Sequence, residues 1–321
     1  MTKKFALGVI MDPISHINPK KDTTFAMLLE AQQREWPIFY MEQIDLFLQQ
    51  DKVCARMRRL TVKDSVKNYF EFGKETVQGL DQLAVVLMRK DPPVDMQYIY
   101  TTQLLDKAEQ QGVLVVNKPQ SLRDFNEKLF ITHFPQCCTP SLVTHRIAAV
   151  KQFLAEHEDI IIKPLDGMGG YSIFRLRKND PNINVSLELL TANNQRYMLA
   201  QRYIPEITQG DKRILMINGE PVPYALARIA AEGETRANLA AGGKGIGVEL
   251  SERDRWICQQ IGPTLQEKGL YFVGLDVIGD YLTEINITSP TGMRELDEQF
   301  KLNSAGLFMD SINSSLSLRA P

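Results

Sequence analysis

The apolar positions of this chain change pattern from one third to the next. Over the first third, short apolar runs recur at Phe5–Met11, Ile38–Met41, Leu83–Met88 and Val113–Val116. Two of them break at proline turns, Asp12-Pro13 and Asp91-Pro92-Pro93. Between the runs lie segments of helical spacing: Phe25, Leu28, Leu29 and Gln32 behind an Asp22 or Thr23 cap, and Tyr98–Gln111. Strands alternating with helices predict an open, largely parallel α/β sheet with helices on both faces. Lys52–Phe72 fits either a surface hairpin or a short helix.

In the middle third, Ser121 is expected to cap a helix through Asn126, Lys128 and Phe130. A strand at Ser141–Thr144, an amphipathic helix at Ile147–His157 and a strand at Asp159–Pro164 follow. A glycine loop, Gly167-Met-Gly169-Gly170, joins that strand to the next, Ile173–Leu176, and Met198–Pro205 is a further strand. In the last third, Asn218-Gly219 between β-prone runs signals a hairpin. Ala230–Gly247 is an 18-residue segment with five glycines, and we expect it to be a lid, since loops of that length inside a compact domain are usually functional or disordered. Ser251–Lys268 reads as a helix, Tyr271–Pro290 begins with a hairpin, and Leu296–Leu318 reads as a packing helix.

Composition narrows the class only by exclusion. With 44% hydrophobic and 24% charged residues, the chain is an ordinary globular protein. Lys and Arg total 37 against 39 acids, so no basic excess points to nucleic acid. The cysteines Cys54, Cys137, Cys138 and Cys258 form no CxxC pair, and the four histidines form no HxxxH pattern. Zinc is therefore not expected, and a reducing, cytoplasmic compartment is. No apolar stretch approaches the roughly 18 residues of a membrane span.

The candidate chemistry is concentrated in the C-terminal hairpin. Asp276, Glu284 and Asn286 are oxygen-bearing side chains in apolar sequence. Glu284 and Asn286, two apart on a strand, share a face. A two-residue turn at Gly279-Asp280 would pair Asp276 with Thr283 and send Glu284 to the other face. A three-residue turn through Tyr281 would pair Asp276 with Glu284. In the second case two carboxylates and an amide converge, a hard-oxygen set suited to Mg²⁺. The glycine loop after Lys163 can bring backbone N–H groups to phosphate oxygens, with Lys163 as the cation. It is neither a P-loop nor a dinucleotide fingerprint. Arg89, at a strand end, is a candidate anchor for a substrate carboxylate. Arg213 and Arg228 lie on the two strands beside Asn218-Gly219, where buried arginines need an anion such as a transferring phosphate.

Taken together and in this order, these residues resemble the ATP-grasp ligases and, among them, the bacterial glutathione synthetases. The likeness runs through Val86-Leu-Met-Arg-Lys-Asp-Pro-Pro, Val116-Asn-Lys-Pro-Gln-Ser, Lys163-Pro-Leu-Asp-Gly-Met-Gly-Gly, Asn238-Leu-Ala-Ala-Gly-Gly and Leu282-Thr-Glu-Ile-Asn-Ile-Thr-Ser-Pro-Thr. The resemblance implies an ATP-grasp fold in three units: an N-terminal α/β domain (1–125), a central lid domain (126–205) and a C-terminal catalytic α+β domain (206–321). It implies ATP as co-substrate, Mg²⁺ with Mn²⁺ as an alternative, γ-glutamylcysteine and glycine as substrates, and a homotetramer. By the same likeness, Lys128, Lys163, Gly167, Gly169 and Gly170 would hold the ATP phosphates. Gln201, Tyr203 and Ile204 would form the adenine hinge, with Asp211 near the ribose or base. Asp276, Glu284 and Asn286 would hold the metal, and Arg213, Arg228 and Arg236 would serve catalysis. Arg89, Asn238, Ser289, Pro290 and Thr291 would bind substrate, with Ala230–Gly247 closing above them. Another ATP-grasp ligase, of the D-alanine kind, is the nearest rival and would differ at Arg89-Lys-Asp-Pro-Pro.

Overall fold

The structure, a computed structural model, describes residues 5–229 and 244–319. Three sheets follow one another along it. The first contains β1 (Leu7–Met11), β2 (Ile38–Met41), β3 (Leu46–Gln49), β4 (Lys52–Val62), β5 (Phe70–Gly79), β6 (Val85–Arg89) and β7 (Leu114–Val116). The expected parallel sheet is only its central part, β2-β1-β6-β7. Beyond β2 an antiparallel wing takes over, where β4 pairs with β2, β3 and β5. The ambiguous segment is therefore a long hairpin rather than a helix. Val53, Ala55 and Met57 alternate inward along β4 at the period of two that suits a half-buried strand. Helices α1 (Thr23–Gln33), capped by Asp22, and α2 (Met96–Gln110), capped by Asp95, cover the sheet.

The short helix α3 (Pro119–Asp124) corrects the reading of Ser121 as a cap. Pro119 opens this helix, and Ser121 lies inside it, donating to Lys268 O at 2.6 Å. Lys128 sits beyond it in a turn where Asn126 Oδ1 accepts from Lys128 N and Leu129 N.

The second sheet has the order β10-β9-β11-β8, from β8 (Ser141–Thr144), β9 (Asp159–Pro164), β10 (Phe174–Arg177) and β11 (Met198–Arg202). Its helices α4 (Ile147–His157) and α5 (Ile183–Thr191) enclose a separate small core of Val150, Leu154, Ile160, Leu187 and Met198.

The third sheet has the order β14-β13-β12-β15-β16. It is built from β12 (Asp211–Ile217), β13 (Glu220–Ile229), β14 (Lys244–Glu249), β15 (Phe272–Ile278) and β16 (Tyr281–Asn286). Positions 244–247 of the expected lid are thus strand, while 230–243 lie outside the described residues. Helix α6 (Glu252–Glu267), closed at its start by a Ser251–Asp254 capping box, packs Ile257, Ile261 and Leu265 against the sheet. The tail is two helices rather than one, α7 (Met293–Phe300) and α8 (Ser304–Arg319). Lys301 breaks them at φ 54, and α8 reaches back to α1, where Arg34 meets Asp310 at 2.6 Å.

One buried side chain ties the first sheet to the third. Asn117, just after β7, donates to Phe272 O at 2.8 Å and Ile287 O at 2.7 Å, and accepts from Phe272 N at 3.0 Å. Asn117→Ala would leave three buried backbone groups unpaired. The expected cost is about 2–4 kcal/mol in urea unfolding, and a variant as stable as the parent would show the staple to be dispensable.

Candidate active site

The hairpin β15–β16 resolves the turn question in a way the sequence did not suggest. The turn is the two-residue one, since Ile278 pairs with Tyr281 and Val277 with Leu282. A β-bulge then sets Thr283 out of the ladder, so that Asp276 faces Glu284 and Gly274 faces Asn286. The convergence expected of a three-residue turn is reached by a bulge instead. The bulged residue also gains a task, because its freed carbonyl accepts from Lys163 Nζ at 3.1 Å.

Register carries the row onward. Arg213 on β12 faces Asp276, and Arg228 on β13 faces Asp211. Opposite charges therefore meet across neighbouring strands on one face. Arg213 grips Asp276 with two bonds, Nε to Oδ1 at 2.6 Å and Nη2 to Oδ2 at 3.1 Å. Arg228 Nη2 reaches the same carboxylate at 2.8 Å and Asp211 Oδ2 at 2.5 Å. All four side chains are buried or nearly so. Gly274 makes room for Arg213, since a Cβ there would stand 2.9 Å from both Arg213 Cδ and Pro290 Cβ.

Burial pushes the Asp276 carboxyl up, but the two guanidiniums outweigh it and hold Asp276 below the ordinary carboxylate range. Asp211 goes the other way: burial, reinforced by Asp276, outweighs Arg228 and pushes it up to about 6. Burial also lowers the Lys163 ammonium, against the pull of Glu284.

Above this row lies an open cleft. Lys128, Gly167, Gly169, Gly170, Arg213, Arg228, Asp276, Glu284, Asn286, Ser289, Pro290 and Thr291 all line it. Lys128 Nζ bridges Glu284 Oε1 and Gly167 O, each at 2.9 Å, and so ties the glycine loop to the third sheet. Gly167, Gly169 and Gly170 have φ of +95, +69 and +78. A Cβ at Gly167 or Gly169 would meet nothing within 4 Å, so the loop needs glycine there for backbone conformation, not for space.

The other expected residues stand back from the cleft. Gln201 on β11 donates to Ser141 Oγ at 3.2 Å, Arg175 stacks on the Tyr203 ring at 3.4 Å, and Ile204 is buried. Arg89 is buried behind the cleft wall. It donates to Thr24 Oγ1 and Pro290 O at 3.0 Å and to Thr288 O at 3.5 Å. Its visible action is to hold the Thr288–Thr291 turn. Arg236 and Asn238 lie outside the described residues.

The sequence reading gave no site role to Asp91, Pro92, Met168, Tyr171, Ile173, Leu226, Thr288 and, most notably, Glu127, all of which line the cleft. Glu127 accepts three hydrogen bonds on one oxygen, from Ile287 N, Thr288 N and Thr288 Oγ1. In the sequence it is one charge among several in Arg123-Asp-Phe-Asn-Glu-Lys128, with nothing to mark it out.

The donor chemistry fits a hard divalent cation. Glu284 Oε2 and Asn286 Oδ1 have no donor among the described residues, and neither is a buried orphan, so both are open to the cleft. Asp276 places a second carboxylate beside them, with both of its oxygens turned to Arg213 and Arg228. A carboxylate, an amide oxygen and room for phosphate and water are what Mg²⁺ takes.

Together these features define an ATP-grasp ligase. Among solved structures the chain is similar to the D-cycloserine synthetase DcsG (TM-score 0.69, 12% identity, 97% of this chain and 100% of that one). It is likewise similar to the ATP-grasp ligase PsnB complexed with minimal precursor, Mg and ADP (TM-score 0.62, 15% identity, 97% and 98%). Residues 5–123 match the profile of the prokaryotic glutathione synthetase N-terminal domain, and residues 127–301 that of its ATP-grasp domain. Glutathione synthetase of Pseudomonas syringae pv. tomato is 60% identical over 98% of both chains, and that of Coxiella burnetii 55% identical over 94% of both. The chain belongs to the prokaryotic glutathione synthetase family.

The two arginines on Asp276 give a stability test. Asp276→Asn leaves two buried cations short of a partner and is expected to cost about 3–5 kcal/mol at pH 7. The native carboxyl lies below its ordinary value of 3.8, so its contribution is present above that pH and lost as pH falls through the lower native value. Urea unfolding should therefore show the gap between variant and parent closing below about pH 4; a gap independent of pH would contradict the ion-pair origin.

Proposed function

We propose that this cleft carries out phosphoryl transfer from ATP to the C-terminal carboxylate of γ-glutamylcysteine, and then acyl transfer to glycine. The protein is an ATP- and Mg²⁺-dependent ligase that forms glutathione, ADP and phosphate. The observation that carries the residue assignment is the charge row itself: two arginines on one carboxylate, facing two open oxygen ligands and a glycine loop.

A carboxylate is a poor electrophile until one oxygen is phosphorylated. The γ-phosphoryl group moves to that oxygen and ADP departs. The glycine nitrogen then attacks the acyl carbon; the C–N bond forms, the C–O bond to phosphate breaks, and the nitrogen sheds two protons in becoming an amide. Bound at Asp276, Glu284 and Asn286, Mg²⁺ would offset charge on the transferring group. Arg213 and Arg228, already compact and desolvated, stabilise the same charge from the sheet side. Lys128, Lys163 and the Gly167–Gly170 loop hold the phosphates, while the strand end at Gln201, Tyr203 and Ile204 offers backbone groups to the adenine edge. Asp211 sets Arg228 rather than meeting the nucleotide, a reading favoured by their 2.5 Å contact. The Ser289–Thr291 turn, backed by Arg89, grips a substrate carboxylate. Residues 230–247, with Arg236 and Asn238, close the site against water, to which acyl phosphates are sensitive.

The three units are read as 1–125, 126–205 and 206–321, supported by the separate small core of the second sheet. Four free thiols favour the cytoplasm. The assembly is read as a homotetramer, the state that the family resemblance implies.

Phosphate release with γ-glutamylcysteine plus glycine, against D-alanine alone, tests the substrate assignment; preference for D-alanine would overturn it. Glu284→Ala or Asn286→Ala should lower turnover by more than roughly 100-fold with unfolding unchanged, and normal activity would remove that residue from the metal site. Lys163→Ala should raise the KM for ATP at least about tenfold; an unchanged KM and kcat would place Lys163 elsewhere.

A further inference from the structure

We propose that the second carboxylate oxygen of Glu127 is the subsite for the ammonium group of the acceptor amino acid. The inference rests on the ligase reading and adds a residue to it. Glu127 Oε1 is fully engaged, accepting from Ile287 N at 2.8 Å, Thr288 Oγ1 at 2.9 Å and Thr288 N at 3.0 Å. Ile285 N also donates to the Glu127 backbone carbonyl at 3.0 Å, so the residue is fixed against the end of β16 from two sides. Oε2 has no partner among the described residues, yet it is not one of the buried unpartnered oxygens. It therefore opens onto the cleft that Glu127 lines.

A carboxylate with one oxygen locked and the other presented to a cleft is a receptor for a cation bearing N–H donors. Among the described residues, the protein's own cations here are otherwise engaged. Lys128 is on Glu284 and Gly167 O, Lys163 on Thr283 O, and the arginines Arg213 and Arg228 on Asp276. Arg89 is spent on Thr24 and the carbonyls of Thr288 and Pro290. Of the ligation's organic substrates, the acceptor is the one whose reacting atom arrives as an ammonium nitrogen, and Glu127 shares the cleft with Arg213 and Arg228, beside which the acyl group is activated.

Glycine and hydroxylamine are compared as acceptors of the acyl group made from ATP and γ-glutamylcysteine, in the parent and in Glu127→Gln. Hydroxylamine is uncharged at neutral pH and has no ammonium to hold. The amide keeps an acceptor for the three donors on Oε1. We expect kcat/KM for glycine to fall roughly 100-fold, mainly through KM, and that for hydroxylamine to fall at least about tenfold less. Equal losses with both acceptors, or none with glycine, would overturn the assignment. Glycolate, which carries a hydroxyl where glycine has its ammonium, gives a second measurement on the unaltered protein. It should compete with glycine only at a Ki at least about 50-fold above the glycine KM; a Ki equal to that KM would overturn the assignment even if the variant did not fold. A parent that releases no phosphate with either acceptor would sink the ligase reading and this inference together, a result distinct from an unselective loss in the variant.

Discussion

One carboxylate holds two guanidiniums, and much of the molecule serves to keep it there. Asp276 is buried, and alone it would be a costly charge in a sheet. Bound by Arg213 and Arg228 it becomes the fixed point of the third sheet. Such a pair is weak evidence of stability in itself, because desolvation offsets most of the attraction. Its value is geometric. The arginines are held in place, out of water, on the face where a phosphoryl group must be met, and so little reorganisation is left for the moment of reaction.

The other sheets can be understood from that point. The first sheet is fastened to the third through Asn117, and Asp91 and Pro92 from the end of β6 line one cleft with the Thr288–Thr291 turn. Arg89, stretched behind that turn, holds its carbonyls. The second sheet has its own core and touches the charge row mainly through long side chains: Lys163 from the end of β9 and, from the preceding turn, Lys128. Lysines on long, flexible stems can span the gap between two such lobes.

The sequence made the gross order of elements legible because strands and helices differ in apolar period. It was weaker where one residue changes a register. Nothing in Val277–Thr283 announces a bulge at Thr283, although that bulge is what brings Asp276 opposite Glu284. The antiparallel wing was half legible, since Lys52–Phe72 fitted a hairpin or a helix equally: its outer strands alternate imperfectly, with exposed residues. Ser121 looked like a cap, but Pro119 two residues earlier is the stronger helix start. Arg89 was legible as important and not as buried, since a strand end gives no sign of which wall will close over it. Glu127 was missed because its role depends on backbone amides 160 residues away in the chain.

The most direct test of this picture is the NMR signature of the arginine side chains. With selectively labelled arginine, the Nε–H groups of Arg213 and Arg228 should exchange slowly with solvent in the parent protein. In Asp276→Asn the Arg213 Nε–H, which donates to Asp276, should lose that protection, while Arg228, whose Nε donates to Asp211 O, and the buried Arg89 keep theirs. Protection of the Arg213 Nε–H that survives the substitution would mean that this arginine is held by something other than Asp276.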